Sequence, residues 1–321
     1  MMVRSLMFST LLTAAAFAQV GGPILGYVPE GDTIRPLYGL PAAGAIGSAI
    51  NAGRDFSQIA ISPQQNFALV TDAATGAVMV VKPGASQTAV TGAAANPDML
   101  AISPSGTSAA LWFPLSGHMQ VVTGLPDSPS VTNNVDASFL NASPLAIAVS
   151  DDGQWAVGLW STGVYAFGAQ VIPLQTDPGV VALAFSHSSH NLALATAARA
   201  TMLSDVGGAN QSSILYDYSA QSLSPRAMAV SFDNQHAVIA DSAGKLVNIN
   251  LPSSSANIAD CACSPTGVYS LGGSVFRLNG TGRSGATKTA HTEDLKLFDA
   301  AAGAVWIVPP ALSDATTGAR Q

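Results

Sequence analysis

Apolar residues along this chain fall in short runs of period two, broken every few positions by Ser, Gly, Pro, Asn or Asp. Runs that place side chains on alternate faces predict β-strands, and the polar breaks predict tight turns. One unit recurs: alternating apolar residues, a Ser, a short polar turn, then a second apolar strand. Six copies are legible: IAISPQQNFALV (59–70), LAISPSGTSAALW (100–112), IAVSDDGQWAVGLW (147–160), LAFSHSSHNLALAT (183–196), MAVSFDNQHAVIAD (228–241) and the degraded CACSPTGVYSL (261–271). Their serines, Ser62, Ser103, Ser150, Ser186, Ser231 and Ser264, are spaced by 41, 47, 36, 45 and 33 residues.

Most copies continue into a third strand, as in AVMVVKPG, HMQVVTG, KLVNINLP and SVFRLNG. A polar residue and a proline come before the Ser in four copies, as Asn96-Pro97, Ser143-Pro144, Asp177-Pro178 and Ser224-Pro225. Proline cannot donate to a strand ladder, so each pair marks a loop leading into an innermost strand. The first and last copies carry Phe56 and Ile258 at that position instead. A unit of about 40 residues with three or four short strands has the size of one propeller blade. A helical solenoid shares the period but needs 3.6-residue patterning, which is missing.

The pattern P-x-x-x-A-[IV]-S-x-[DS]-G-x-x-A-[LV] resembles the YVTN-type repeats and, more loosely, the WD-repeat-like propellers of bacterial secreted proteins. The likeness runs from about Ile24 to Pro309, although the Tyr-Val-Thr-Asn strand survives only as Leu69-Val70-Thr71-Asp72. It implies an all-β ring of blades around a channel and implies no activity. Both ends carry further strand pairs, ILGYVPEGDTIRPLYGLP and LKLFDAAAGAVWIVPP, the second parallel to ALVTDAATGAVMVVKPG of the first copy. The simplest closure places both ends in one shared seventh blade, leaving no unpaired edge. Seven blades of mostly four antiparallel strands are expected over residues 19–309, with six and eight as alternatives.

Composition supports this reading. Only 10% of residues are charged, with two Glu and four Lys, against 48% hydrophobic residues, 30 Gly and 19 Pro. Long solvated helices and disorder are both excluded by those proportions. The net charge of −7 leaves no basic patch for nucleic acid. After the N-terminus no apolar run approaches the ~20 residues of a spanning helix, so the chain reads as not membrane-embedded. Residues 1–18, MMVRSLMFSTLLTAAAFA, combine Arg4, an apolar stretch and a small-x-small ending, which is the pattern of a signal peptide cleaved before Gln19. A secreted or periplasmic monomer follows, with residues 310–321 as a mobile tail.

Cys261 and Cys263 lie two apart. In an extended strand their Cα atoms would stand roughly 6.6 Å apart, near the upper limit for a bridge. A redox-active disulfide, half of a metal site, and two buried residues of a first strand all fit the spacing, and alignment with Ile59 and Ile61 favours burial. His187 and His190 occupy a turn, and no carboxylate accompanies them in sequence, so a solvated turn is preferred to a metal pair. Asp72, Asp241 and Asp299 recur before small residues and Gly, as turn carboxylates do. No G-x-S-x-G elbow and no phosphate-cradling loop opening a helix is present, and no cofactor or metal motif is legible.

A ligand site, if the ring has one, belongs at the mouth of the channel. The loops there carry Arg54, Asp55, Asp98, Asp177 and Arg226, prominent among so few charges. The expected function is a non-catalytic binding module of the cell envelope or secreted space, with a protein or carbohydrate partner. A lactonase-like propeller hydrolase or isomerase is the rival, and a structural envelope protein the third reading.

Overall fold

The computed structural model describes residues 22–50, 53–84, 87–278 and 295–309, so the leader and the tail lie outside it. Among the described residues there are seven antiparallel sheets, six of four strands and one of three. The chain is a seven-bladed β-propeller. The inner strands are Ile24–Glu30, Phe56–Ile61, Met99–Ile102, Ala146–Val149, Ala182–Phe185, Pro225–Val230 and Val268–Gly272, for blades 1 to 7. Each touches the inner strands before and after it, and that of blade 1 touches those of blades 2 and 7, which closes the ring.

Every seam between neighbouring blades holds one apolar cluster. Val157, Leu159 and Val164 of blade 4 meet Leu183, Phe185 and Leu194 of blade 5, for example. The second strand of a blade is covered on both faces by neighbours, so its sequence is mostly apolar. Ser108–Phe113, Ala156–Trp160 and Leu192–Ala195 are buried at every position. Ala109, Ala110, Ala193 and Ala195 are fully enclosed there, small enough to let sheets approach. Where blades 3 and 4 meet, Trp112 and Trp160 pack edge to face with ring centroids 5.8 Å apart. Their indole N–H groups reach outward, Trp160 to the Ala142 carbonyl at 2.8 Å and Trp112 to Ser143 Oγ at 3.4 Å, and fix the Ser143-Pro144 loop.

The repeated Ser is a turn-closing residue. Ser62, Ser103, Ser150, Ser186 and Ser231 are buried at the ends of inner strands, and each donates its N–H to the carbonyl five residues on. The hydroxyl adds a second closure: Ser150 Oγ accepts from Trp155 N–H at 3.0 Å and donates to Asp152 Oδ1 at 2.7 Å. Such turns require one residue at positive φ, supplied by Gly106, Gly153 and Asn234. In blade 2 that slot holds Gln65, φ 60°. Its amide ties three blades together, accepting from Tyr27 N–H of blade 1 at 2.7 Å and donating to the Ser270 carbonyl of blade 7 at 3.3 Å.

Two sequence expectations are corrected. The ends do not share a blade: the N-terminal strands form the three-stranded blade 1, and Leu295–Asp299 and Ala304–Val308 are the third and fourth strands of blade 7. The parallel with ALVTDAATGAVMVV holds as a hairpin, but one strand further out. The sixth copy also differs in phase from the other five. Cys261 and Cys263 are not in a first strand; they lie in the loop before the inner strand Val268–Gly272, and Ser264-Pro265 is the proline pair of that loop.

Candidate functional site

In blades 2 to 7 the loops leading into the inner strands share one face of the ring with the turns between second and third strands. The loops into blades 2, 5, 6 and 7 are each held to their own blade by a polar latch. Asp72 Oδ1 accepts from Ala74 N–H (3.1 Å), Thr75 N–H (2.8 Å) and Thr75 Oγ1 (2.8 Å), while Oδ2 meets Arg54 Nη1 at 2.7 Å. The Arg54 bond first, then those from Thr75, hold the Asp72 carboxyl down at about 2. Asp177 takes a two-pronged bond from Arg199, both prongs 2.8 Å. Asp241 accepts from Ser224 N–H and from Ala243 N–H. In blade 7 Lys296 Nζ donates to the carbonyls of Cys261 (3.3 Å) and Ala262 (2.7 Å).

The five charges singled out from the sequence thus divide. Arg54 and Asp177 are latch residues within blades 2 and 5. Asp55, Asp98 and Arg226 are exposed, and none of these three has an ion-pair partner among the described residues. What sequence reasoning missed on this face is apolar. Leu115 is completely exposed in a turn of blade 3, and Phe139 and Leu145 are largely exposed in the loop into blade 4. That loop lies against the turn, with Ala137 N–H donating to the Gly117 carbonyl at 2.8 Å. Val181, just before the inner strand of blade 5, is also exposed. The signal was available: apolar residues beside Pro, Gly or Ser, out of phase with both adjoining strands.

The opposite face carries the serine turns, and these are bonded blade to blade. Asp151 of blade 4 accepts from Ser105 N–H of blade 3 and from Ser188 N–H of blade 5, both at 2.6 Å. Asn234 of blade 6 brackets His187 of blade 5, accepting from its N–H and donating to its carbonyl, each at 2.9 Å. Asp151, Asp152, Ser188, Ser189 and His190 line an open cleft of about 390 Å³. His190 Nε2 stands 2.8 Å from Asp152 Oδ2, and His187 Nε2 stands 4.0 Å from Asp151 Oδ2. The expectation that no carboxylate accompanies these histidines is therefore overturned, because the ring brings carboxylates from the neighbouring blade. Burial alone would raise the Asp152 carboxyl, but bonds from Gln154 N–H, Ser150 Oγ and His190 leave it lowered. Both carboxylates serve the turns, and no group of three or more His, Cys, Asp or Glu suited to a metal ion occurs among the described residues.

Cys261 and Cys263 are joined by a disulfide with Cα atoms 5.1 Å apart. The contraction from the extended spacing comes from Ala262, whose φ is +46°. Asp299, unlike Asp72 and Asp241, caps the turn between the outer strands of blade 7, accepting from Ser274 Oγ at 2.9 Å and Ala301 N–H at 3.1 Å.

No known family pattern matches the chain, and no curated protein matches it in sequence. Its likeness is to solved propellers. It is similar to the Cps50 (Swd1) β-propeller domain of Myceliophteria thermophila, at 11% identity and TM-score 0.56, over 79% of this chain and 86% of that one. PorZ, an essential bacterial surface component of the type-IX secretion system of Porphyromonas gingivalis, matches at 13% identity and TM-score 0.56, over 89% of this chain and 38% of PorZ. Apo AztD from Citrobacter koseri matches at 11% and 0.54, over 88% and 81%. These show the fold alone. Among the described residues no helix is long and apolar enough to cross a membrane.

Proposed function

We propose that this protein is a non-catalytic interaction module of the cell envelope or secreted space, binding another protein through its loop face. One observation carries the reading: the indoles of Trp112 and Trp160 and the Ala137–Gly117 bond pin the loop bearing Phe139 and Leu145 against the turn bearing Leu115, so that all three side chains stand out in water. Large apolar side chains fixed in adjoining loops form a patch of the kind partners cover. Rigid loops lose little conformational freedom on binding, which favours affinity. Asp98 is exposed in the loop into blade 3 on the same face and gives the patch a polar edge. A protein surface suits such a patch better than a sugar does. The resemblance to YVTN-type repeats, the signal-peptide pattern of residues 1–18 and the fold shared with a bacterial surface component support an extracytoplasmic setting.

A photo-crosslinking residue at Leu115 or Phe139, introduced in the native host, gives a covalent adduct of one discrete mass. The same probe at Gln64, on the turn face, gives none. Absence of an adduct at both loop positions, or the same adduct from Gln64, overturns the proposal. Intact-mass analysis of the exported protein is expected to show Gln19 at the N-terminus.

A further inference from the structure

We infer that the seam between blades 7 and 1 is a binding site for one small oxyanion, a carboxylate or phosphate, held by the guanidinium of Arg277. The inference is independent of the loop-face proposal. Arg277 lies in the second strand of blade 7, Val275–Leu278, in register with Tyr269 on the inner side and Leu297 on the outer side. Leu297 packs with Val28, Leu37, Leu271 and Val308 in the 7–1 seam, so Arg277 faces that seam too. It is only 5% exposed. No hydrogen bond or ion pair to its guanidinium is formed by the described residues; its one partner is the Tyr269 ring, 4.5 Å from the guanidinium carbon.

The surrounding charges do not neutralise it. Arg35 of blade 1 is paired in register with Val28 and so faces the same seam, and Glu30 is already bonded to Arg35. Asp299, at the end of the Leu297 strand, is engaged by Ser274 Oγ and its own turn. Neither carboxylate forms an ion pair with Arg277. A buried cation without a counter-ion is costly, and a guanidinium offers a planar fork of donors suited to a carboxylate or phosphate. Burial pulls the Arg277 pKa down to about 10, with Tyr269 acting in the other direction, so the group stays charged at neutral pH. Tyr269 belongs to the inner strand and is 41% exposed. It therefore covers Arg277 from the channel side and forms one wall of the route in.

The test is isothermal titration of the full chain in salt-poor buffer with sodium acetate and, separately, inorganic phosphate, beside Arg277→Met and Tyr269→Ala. One equivalent of acetate, phosphate or both is expected to bind the native protein, and the two arms tell which oxyanion the seam prefers. Arg277→Met abolishes the heat. Tyr269→Ala, a change at a half-exposed residue that leaves the fold intact, weakens binding at least tenfold (about 1.4 kcal/mol). No saturable heat from either anion overturns the inference. So does affinity unchanged in Tyr269→Ala, an outcome that decides the matter even where Arg277→Met fails to fold.

Discussion

Single side chains with one recurring task explain most of the repeat. The Ser that marks copies one to five closes a hairpin, so Ser150→Ala removes two part-buried hydrogen bonds and leaves Trp155 N–H without its hydroxyl acceptor. A loss of about 1–3 kcal/mol is expected, read as a lower urea midpoint at unchanged m-value. Asp72 gives a pH signature. Its folded-state pKa is depressed to about 2 from an ordinary 3.8, so its stabilisation is complete above that ordinary value and fades as pH falls toward 2. Asp72→Asn therefore has a shallower fall of melting temperature between pH 5 and pH 2 than the native protein, measured by calorimetry. Equal slopes would show that the Arg54 latch contributes nothing in solution.

At the level of strands and loops, most of the architecture was legible, and the misreadings have physical causes. The hairpins of blades 2 to 6 could be placed because a buried Ser and a positive-φ residue leave a fixed mark in sequence. Blade 7 lost that mark: its first hairpin turns at Gly273 and Ser274 instead, and the Ser-Pro of its lead-in loop imitates the Ser-Pro that closes the inner strands of blades 2 and 3. The latches were half legible. Arg54 and Asp177 stood out as rare charges, but their partners Asp72 and Arg199 lie 18 and 22 residues away, on turns that only strand pairing brings near. The carboxylates beside His187 and His190 were invisible for the same reason, since they come from another blade. The latch of blade 5 makes a prediction at this scale. Asp177→Asn costs under about 1 kcal/mol, because the pair is partly exposed, yet hydrogen exchange in residues 175–181 speeds up. A large fall in stability with unchanged exchange would contradict a local latch.

Across the whole molecule, stability is shared among seven seams, each an apolar cluster between two sheets. Leu194→Ala, at the fully enclosed 4–5 seam, is expected to cost 2–5 kcal/mol. Its urea unfolding stays a single transition, since a ring with one weak seam cannot open without losing the next. The Gln65 amide is a different kind of link, joining blades 7, 1 and 2 by hydrogen bonds. Gln65→Asn keeps a residue that tolerates positive φ but shortens the reach by one methylene. A melting temperature lowered by a few degrees is expected, and no change would mean that the seams alone hold the ring together.

Because blades 1 and 7 each use strands from only one end of the chain, no sheet depends on where the polypeptide starts. The Gly44 Cα approaches Val308 across that junction closely enough that a side chain there would press on its methyl group. Joining the ends through a flexible linker and reopening the chain in the Ser143-Pro144 loop would leave all seven sheets uncut. Such a circular permutant should fold with near-native melting behaviour, checked by calorimetry. The blades are, in that sense, interchangeable starting points, and the order in which they are synthesised is free to vary.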